Sequence, residues 1–174
     1  MGLESLYAAN GICDWPFTCS IHTLMPAIFK YSDKPMEDFT LYVKRDLANM
    51  IFGNTDNHGR NTAFLIDGRK TRLSPIFDFA PMMIDPEGIT RTVRWKKEKA
   101  GHINLEELMT ECRGFLKVNN LDNGFEEFRS NIHQFIKSCQ EGMTFLFDEA
   151  KDCKILTENL RKNKKYLKQL IQEL

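Results

Sequence analysis

The segment GNTDNHGRN, residues 53–61, places an aspartate, a histidine, an arginine and three asparagines within nine positions. It directly follows the apolar residues LANMIF, 47–52. In the preceding residues apolar side chains recur every three or four positions, and Pro35 fits the first turn of a helix. We therefore predict a helix over residues 35–52 that ends at Gly53 and leads into a polar loop.

The residues after the loop have the pattern of two short strands. The runs NTAFLI and RKTRLS flank Asp67-Gly68, a dipeptide favoured in two-residue hairpin turns. Asp78 follows shortly after the second strand, and Asn61 begins the first. Because a hairpin brings its two ends together, we expect Asp78 and Asn61 to meet at its open end, beside Asp56.

The side chains expected at this open end suit a magnesium ion. Two carboxylates and an amide oxygen are hard oxygen donors, whereas zinc or copper would need more than the single nearby imidazole of His58. Asp56 and Asn61 also have the D-x-x-x-x-N spacing of kinase catalytic loops, in which the Asp orients the attacking hydroxyl and the Asn holds a metal ion. The tripeptide DFA that starts at Asp78 stands where protein kinases have Asp-Phe-Gly. An apolar setting for Asp78 would call for a metal ion or a cationic partner.

Most of the remaining chain has helical periodicity. Asp33 is the expected N-cap of the helix over 35–52. Ser20 is the expected N-cap of another helix, which Pro26 should kink. Gly142 is a candidate break, and residues 89–95 alternate like a short strand. The further predicted helices cover 20–31, 104–118, 122–150 and 154–174. The predicted fold class is mostly α with a small β-hairpin.

Composition favours a globular protein and no particular partner. Basic and acidic residues balance at 24 each, and 42% of the chain is apolar. Five cysteines without a C-x-x-C pair indicate free thiols in a reducing compartment rather than a zinc site. The chain shows no secretory signal pattern and no bilayer-spanning stretch, so we expect a cytoplasmic protein that does not bind membranes. We expect the basic segment 91–99 to be a solvated loop, and the apolar stripe of the basic C-terminal helix to pack with its lysines outward.

With these motifs, the sequence resembles the C-terminal lobe of HipA-type serine/threonine kinases, toxins of bacterial type II toxin–antitoxin modules. FGNTDNHGRNTAFLID followed by RLSPIFDFAP carries the resemblance, over about residues 36–82. The resemblance implies a protein-kinase-like C-lobe of the HipA type, which we expect to extend over 1–174 as a single lobe. It also implies phosphoryl transfer to protein, with ATP and Mg²⁺ as cofactors.

The resemblance further implies roles for five residues. Asp56 would be the catalytic base or the acid that orients the substrate hydroxyl. Asn61 and Asp78 would hold the metal ion and, through it, the nucleotide. His58 and Arg60 would flank the phosphates as catalytic and nucleotide-binding residues. Structural alternatives stay open for these two, since His58 could pin the loop by a hydrogen bond and Arg60 could form an ion pair with Asp78 or another acid.

The sequence departs from a complete kinase before residue 53. No G-x-G-x-x-G loop and no strand-borne phosphate-binding lysine pattern occurs there, and these residues look helical. We therefore expect a C-lobe without its nucleotide-binding N-lobe, as a fragment, a degenerate paralogue or half of a split kinase, with little activity alone. The implied partners are a HipB-like antitoxin, a separate N-lobe protein and a protein substrate such as an aminoacyl-tRNA synthetase. Nucleic acid would be reached only through the antitoxin.

Two other functions stay open from the sequence. The chain could be a catalytically inactive kinase-fold module that sequesters an antitoxin or a target protein. It could also be the lobe of a small-molecule or lipid kinase, because the histidine two residues after Asp56 resembles the D-R-H-x-x-N loop of lipid kinases.

Overall fold

Helices make up most of what the computed structural model describes, namely residues 1–13, 18–85, 87–88 and 90–174. The helices in these ranges are α1 (Leu6–Ala9), α2 (Ile21–Tyr31), α3 (Pro35–Phe52), α4 (Leu105–Val118), α5 (Phe125–Glu149) and α6 (Lys154–Gln172). The strands are β1 (Gly2–Ser5), β2 (Cys19–Ser20), β3 (Ala63–Asp67), β4 (Lys70–Leu73) and β5 (Val93–Arg94). The predicted predominance of helix is confirmed, with more strands than the single predicted hairpin.

Helix α3 is the element on which α2, α5 and α6 pack. Its side chains Phe39, Val43, Leu47 and Ile51 are at most 1% exposed, as their three- and four-residue spacing predicts. The helix covers the predicted range and ends at Gly53, whose φ of 75° is the left-handed conformation that glycine adopts at little cost. The predicted end of α3 is therefore confirmed.

The start of α3 differs from the prediction that Asp33 caps it. The N-cap residue is Lys34, and its side chain makes no capping hydrogen bond. The Asp33 carboxylate instead accepts a hydrogen bond from the backbone N–H of Thr71 on β4. It thereby satisfies a donor at the edge of the sheet, while Pro35 begins the helix without an N–H that needs an acceptor.

The predicted hairpin is present, with its turn displaced by one residue. Strands β3 and β4 pair antiparallel up to Asp67 and Lys70. The two loop residues are therefore Gly68 and Arg69, and the prediction that Asp67 and Gly68 form the loop was wrong by one position. Gly68 has a φ of 60°, so the glycine occupies the loop position that requires a positive φ.

The N-terminal residues, predicted to be helical, begin with a strand. β1 pairs antiparallel with β3, with Ser5 opposite Ala63, and the sheet has the strand order β1-β3-β4. A strand of four residues is too short to show a clear alternating pattern in the sequence. Its position is set by its pairing with β3, which the sequence of the segment alone does not reveal. The candidate strand over 89–95 is reduced to β5, which pairs in parallel with β2; Ile89 lies outside the described residues.

The other predicted helices are confirmed in position. Ser20 caps α2 by accepting a hydrogen bond from the His22 N–H at 3.2 Å, and Pro26 lies inside this helix. α5 begins after a 3-10 turn at Asp122–Gly124 and continues through Gly142, so the predicted break is absent. No helix in the described part of the chain has the length and apolar character that a membrane crossing requires.

A buried carboxylate fixes the sheet to the start of α3. Asp38 is fully buried and accepts hydrogen bonds from the Ser32 hydroxyl at 2.6 Å and the Leu73 backbone N–H at 3.0 Å. Its other oxygen accepts from Arg72 Nη2 at 2.9 Å. Because a buried carboxylate is costly without such partners, β4 is held at a fixed position on α3.

Replacing Asp38 by alanine should lower the free energy of unfolding by about 3 kcal/mol, because the buried Leu73 N–H loses its acceptor and Arg72 its buried carboxylate. Urea denaturation followed by circular dichroism would measure the change. Glu37 provides the matched control, since its exposed carboxylate also pairs with Arg72, at 3.0 Å. Glu37→Ala should leave the denaturation midpoint unchanged. Equal losses in the two variants would contradict the importance of burial.

Candidate active site

Four of the five predicted site residues line one cleft. Asp56, His58, Asn61 and Asp78 come together between α3, the loop that follows it, and the segment after β4. The cavity volume is about 20 Å³, close to what one water molecule or a small ion requires. Arg60 is exposed and is not among the lining residues.

The loop over residues 53–61, here called the cleft loop, is held on one side by the buried side chain of Asn57. Its Nδ2 donates to the Val93 carbonyl at 2.7 Å and to Asp46 Oδ1 at 3.2 Å. Its Oδ1 accepts from the backbone N–H groups of Thr92 at 3.0 Å and Val93 at 3.2 Å. Both ends of the amide are thus satisfied, so the loop is fixed to β5.

Asp46, on α3, is the centre of this buried network. Besides Asn57, it accepts two hydrogen bonds from Arg91 Nη2, at 2.9 and 3.0 Å, and one from Trp95 Nε1 at 2.7 Å. Arg91 Nε also donates to Glu98 at 2.9 Å. Burial alone would lower the pKa of Arg91, but the carboxylates of Asp46 and Glu98 outweigh it and raise that pKa. Burial raises the pKa of Glu98, while Arg91 acts in the opposite direction.

The basic segment 91–99 is therefore not a solvated loop as a whole, and that prediction was wrong. Arg91 and Trp95 are 4% and 3% exposed, because α3 offers them a buried carboxylate. Arg94, Lys96, Lys97 and Lys99 remain exposed, as predicted. The sequence did contain a signal for this network: Asp46 lies on the apolar face of α3, and a carboxylate at such a position needs a cationic partner elsewhere.

The other side of the loop rests on the N-terminal segment. The backbone of Gly59 lies directly on the ring of Tyr7, where any added Cβ would collide. The Leu6 N–H donates to the Thr62 carbonyl at 2.8 Å. Burial raises the pKa of the Tyr7 phenol, and the positive charge of Arg60 acts in the opposite direction.

Hydrogen bonding within the loop orients the Asn61 side chain. Its Nδ2 donates to the Asp56 backbone carbonyl at 3.0 Å. Because the nitrogen makes this bond, the amide oxygen Oδ1 is left as an acceptor for a ligand. His58 Nε2 lies 3.4 Å from Asp56 Oδ1, and the Asp56 side chain is 33% exposed. The imidazole thus contacts one carboxylate oxygen, and the carboxylate stays partly accessible.

Asp78, in the segment after β4, lines the cleft in an unusual backbone conformation. Its φ is 54°, a left-handed conformation that Asp tolerates better than most residues and that often occurs at functional sites. The residue is exposed, so the expectation that it lies in an apolar setting and must be neutralised there was wrong. The surrounding apolar residues Ile76, Phe77 and Phe79 are themselves exposed.

The donor set fits a hard divalent cation. Asp56, Asn61 and Asp78 offer two carboxylates and an amide oxygen around an ion-sized cavity. Within the described ranges no group of three or more His, Cys, Asp or Glu side chains is arranged to hold a metal ion. A cation here would consequently depend on the Asn61 amide and on oxygens from a bound substrate or water, as magnesium sites in phosphoryl-transfer proteins commonly do.

Truncation of Asn57 should lower the free energy of unfolding by about 2–4 kcal/mol, because Asn57→Ala leaves buried backbone groups of β5 without partners. Hydrogen exchange should also accelerate in the loop amides around residues 56–61, since their attachment to β5 is lost. Urea titration and exchange mass spectrometry would measure the two effects. Asn123→Ala is the control, because Asn123 is exposed. Unchanged loop exchange in Asn57→Ala would contradict the anchoring role.

The comparisons with known proteins identify the family. No curated protein matched the chain. The family described as HipA-like C-terminal domain matches residues 1–142. The match includes β1, the cleft loop, the hairpin and Asp78, and it ends within α5. It confirms the resemblance inferred from the shorter stretch 36–82, and it covers most of the 174 residues. The chain therefore belongs to the HipA-like C-terminal domain family.

Proposed function

We propose that the chain is a protein-kinase-like C-lobe that carries out Mg–ATP-dependent phosphoryl transfer to a serine or threonine of a protein. The observation that carries the proposal is that Asp56, Asn61 and Asp78 line the same cleft. Their spacing in the sequence is that of a kinase catalytic loop followed by an Asp-Phe pair. Membership of a HipA-like family supports the same reaction and a role as the toxin of a toxin–antitoxin module.

In this proposal Asp56 acts on the substrate hydroxyl. Its accessible carboxylate would accept a hydrogen bond from the attacking hydroxyl and take up its proton as the new bond to phosphorus forms. His58, 3.4 Å from Asp56 Oδ1, would keep the carboxylate in one orientation. Asp56 would thus position the nucleophile more than it would activate it, since phosphoryl transfer depends chiefly on positioning and charge.

Asn61 and Asp78 would hold the magnesium ion from two sides of the cleft. When bound, Mg²⁺ would neutralise charge on the phosphate oxygens and bring them into line with the nucleophile. The hydrogen bond from Asn61 Nδ2 to the Asp56 carbonyl fixes the amide oxygen for this purpose. The left-handed backbone of Asp78 would present its carboxylate to the cleft from the segment after β4.

The remaining parts of the reaction would come from outside the cleft. A cavity of about 20 Å³ admits an ion but does not enclose a nucleotide. We propose that a second lobe, on another part of the protein or on a separate polypeptide, covers the adenine and supplies a phosphate-binding lysine. A HipB-like antitoxin and a cytoplasmic protein substrate such as an aminoacyl-tRNA synthetase are the partners that the family resemblance favours.

The small volume of the cleft also supports a second candidate function. A chain that holds at most an ion and binds no nucleotide would act as a kinase-fold module that sequesters an antitoxin or a target protein. Its interactions would then not depend on the carboxylates of Asp56 and Asp78.

Phosphoryl transfer can be tested with radiolabelled Mg–ATP, using the chain alone and together with candidate N-lobe polypeptides. Asp56→Asn and Asp78→Asn should each reduce the initial rate of label transfer at least about 100-fold, because each removes a charge used in the reaction. Asparagine suits position 78 since it also tolerates a left-handed backbone.

Asp67→Asn is the matched control. Asp67 is an exposed carboxylate at the turn end of the same hairpin, and its substitution should leave the rate unchanged. Transfer that survives in the Asp56 and Asp78 variants would exclude the proposed site. No transfer with any N-lobe candidate, together with intact antitoxin binding in both variants, would favour the sequestering module.

A further inference from the structure

Arg45 is a cleft residue that the sequence motif does not include. It lies on α3 and lines the same cavity as Asp56, Asn61 and Asp78. Its Nη2 donates to the backbone carbonyl of Ser74, at the end of β4. The remaining guanidinium N–H groups make no hydrogen bond to other described residues in the structure.

Arg45 differs from the other arginines that are withdrawn from solvent. Among the described residues, three arginines are partly or fully buried: Arg45, Arg72 and Arg91. Arg72 and Arg91 each donate to a buried carboxylate at 2.9 Å. No carboxylate among the described residues lies within 4.0 Å of the Arg45 side chain nitrogens, so its charge is only partly compensated.

The electrostatics of Arg45 agree with this geometry. Burial lowers the pKa of its guanidinium, and the more distant carboxylate of Asp38 acts in the opposite direction. A guanidinium that is partly removed from water without a carboxylate partner is energetically unfavourable. An anion that enters the cleft would relieve this cost, and a guanidinium suits a phosphate because it can offer two parallel N–H donors.

We propose that Arg45 binds a phosphate oxygen of the phosphoryl donor, a task that the sequence motif assigns to Arg60. This inference rests on the proposed function, because the cation held by Asn61 and Asp78 would bring the phosphate into the cleft. One phosphate oxygen would then contact both that cation and the guanidinium, with the rest of the phosphate outside the ion-sized cavity. Arg60 is placed less well for this role, since it is exposed and does not line the cleft.

A purely structural role for Arg45 is the rival explanation. Its bond to the Ser74 carbonyl anchors the chain four residues before Asp78, so the loss of Arg45 could displace the Asp78 carboxylate. The two roles differ in what they do to cation binding. A displaced Asp78 would weaken the binding of a cation alone, whereas a lost phosphate contact would weaken only the binding of the phosphate.

Isothermal titration calorimetry on the whole chain separates these roles, with Mn²⁺ alone and Mg²⁺–tripolyphosphate as the two probes. Tripolyphosphate carries the phosphate chemistry of ATP without a base that requires a second lobe. Arg45→Met should weaken Mg²⁺–tripolyphosphate binding about tenfold or more, the usual effect of losing a charged hydrogen bond, and leave Mn²⁺ affinity unchanged. Arg45→Lys should retain part of the affinity, and Arg69→Met, on the exposed hairpin loop, should retain all of it.

Several results would overturn the inference. Equal losses for Mn²⁺ and tripolyphosphate in Arg45→Met would assign a structural role. A loss of tripolyphosphate binding in Arg60→Met but not in Arg45→Met would return the task to Arg60. If tripolyphosphate binding requires Asp78 but not Arg45, only the role of Arg45 is contradicted. If it requires Arg45 but not Asp78, only the proposed metal site is contradicted. A wild-type chain that binds no tripolyphosphate would overturn both.

Discussion

The structure depends on the buried carboxylate of Asp46. It belongs to α3 and accepts hydrogen bonds from Asn57, Arg91 and Trp95, so it joins the central helix, the cleft loop and the segment around β5. An unpaired carboxylate in this position would be strongly destabilising, so the three parts must come together as one unit. Contacts within the protein alone therefore fix the position of the cleft loop.

Structural contacts and cleft-lining side chains are combined along this loop. Asn57 lines the cleft and is also anchored to β5, Gly59 lies on the Tyr7 ring, and Asp56, His58 and Asn61 line the cleft. This combination explains why so much polar chemistry follows an apolar helix. Some of the polar side chains hold the loop in place, while the partly exposed Asp56 carboxylate and the Asn61 amide oxygen remain accessible to a ligand.

Periodicity and turn chemistry predicted α3, its end at Gly53 and the hairpin. The hairpin in turn predicted that the segments around Asn61 and Asp78 meet at the cleft. What they could not predict depended on partners distant in sequence. β1 is defined by pairing with β3, the Asp33 carboxylate accepts a hydrogen bond from the backbone of the edge strand β4, and Arg91 is buried because it pairs with Asp46. Arg45 was overlooked because a motif names the residues of a loop and not those of the helix behind it.

The proposed site requires that Asp56, Asn61 and Asp78 share one divalent cation, and paramagnetic NMR tests this most directly. Substoichiometric Mn²⁺ added to the ¹⁵N-labelled chain would broaden amide resonances near the bound ion. If the three side chains share a cation, broadening is selective at residues 56–61 and 77–79 and is lost in Asp78→Asn. Broadening that appears first at acidic positions elsewhere, such as the start of α5, or that persists in Asp78→Asn, would contradict the shared site.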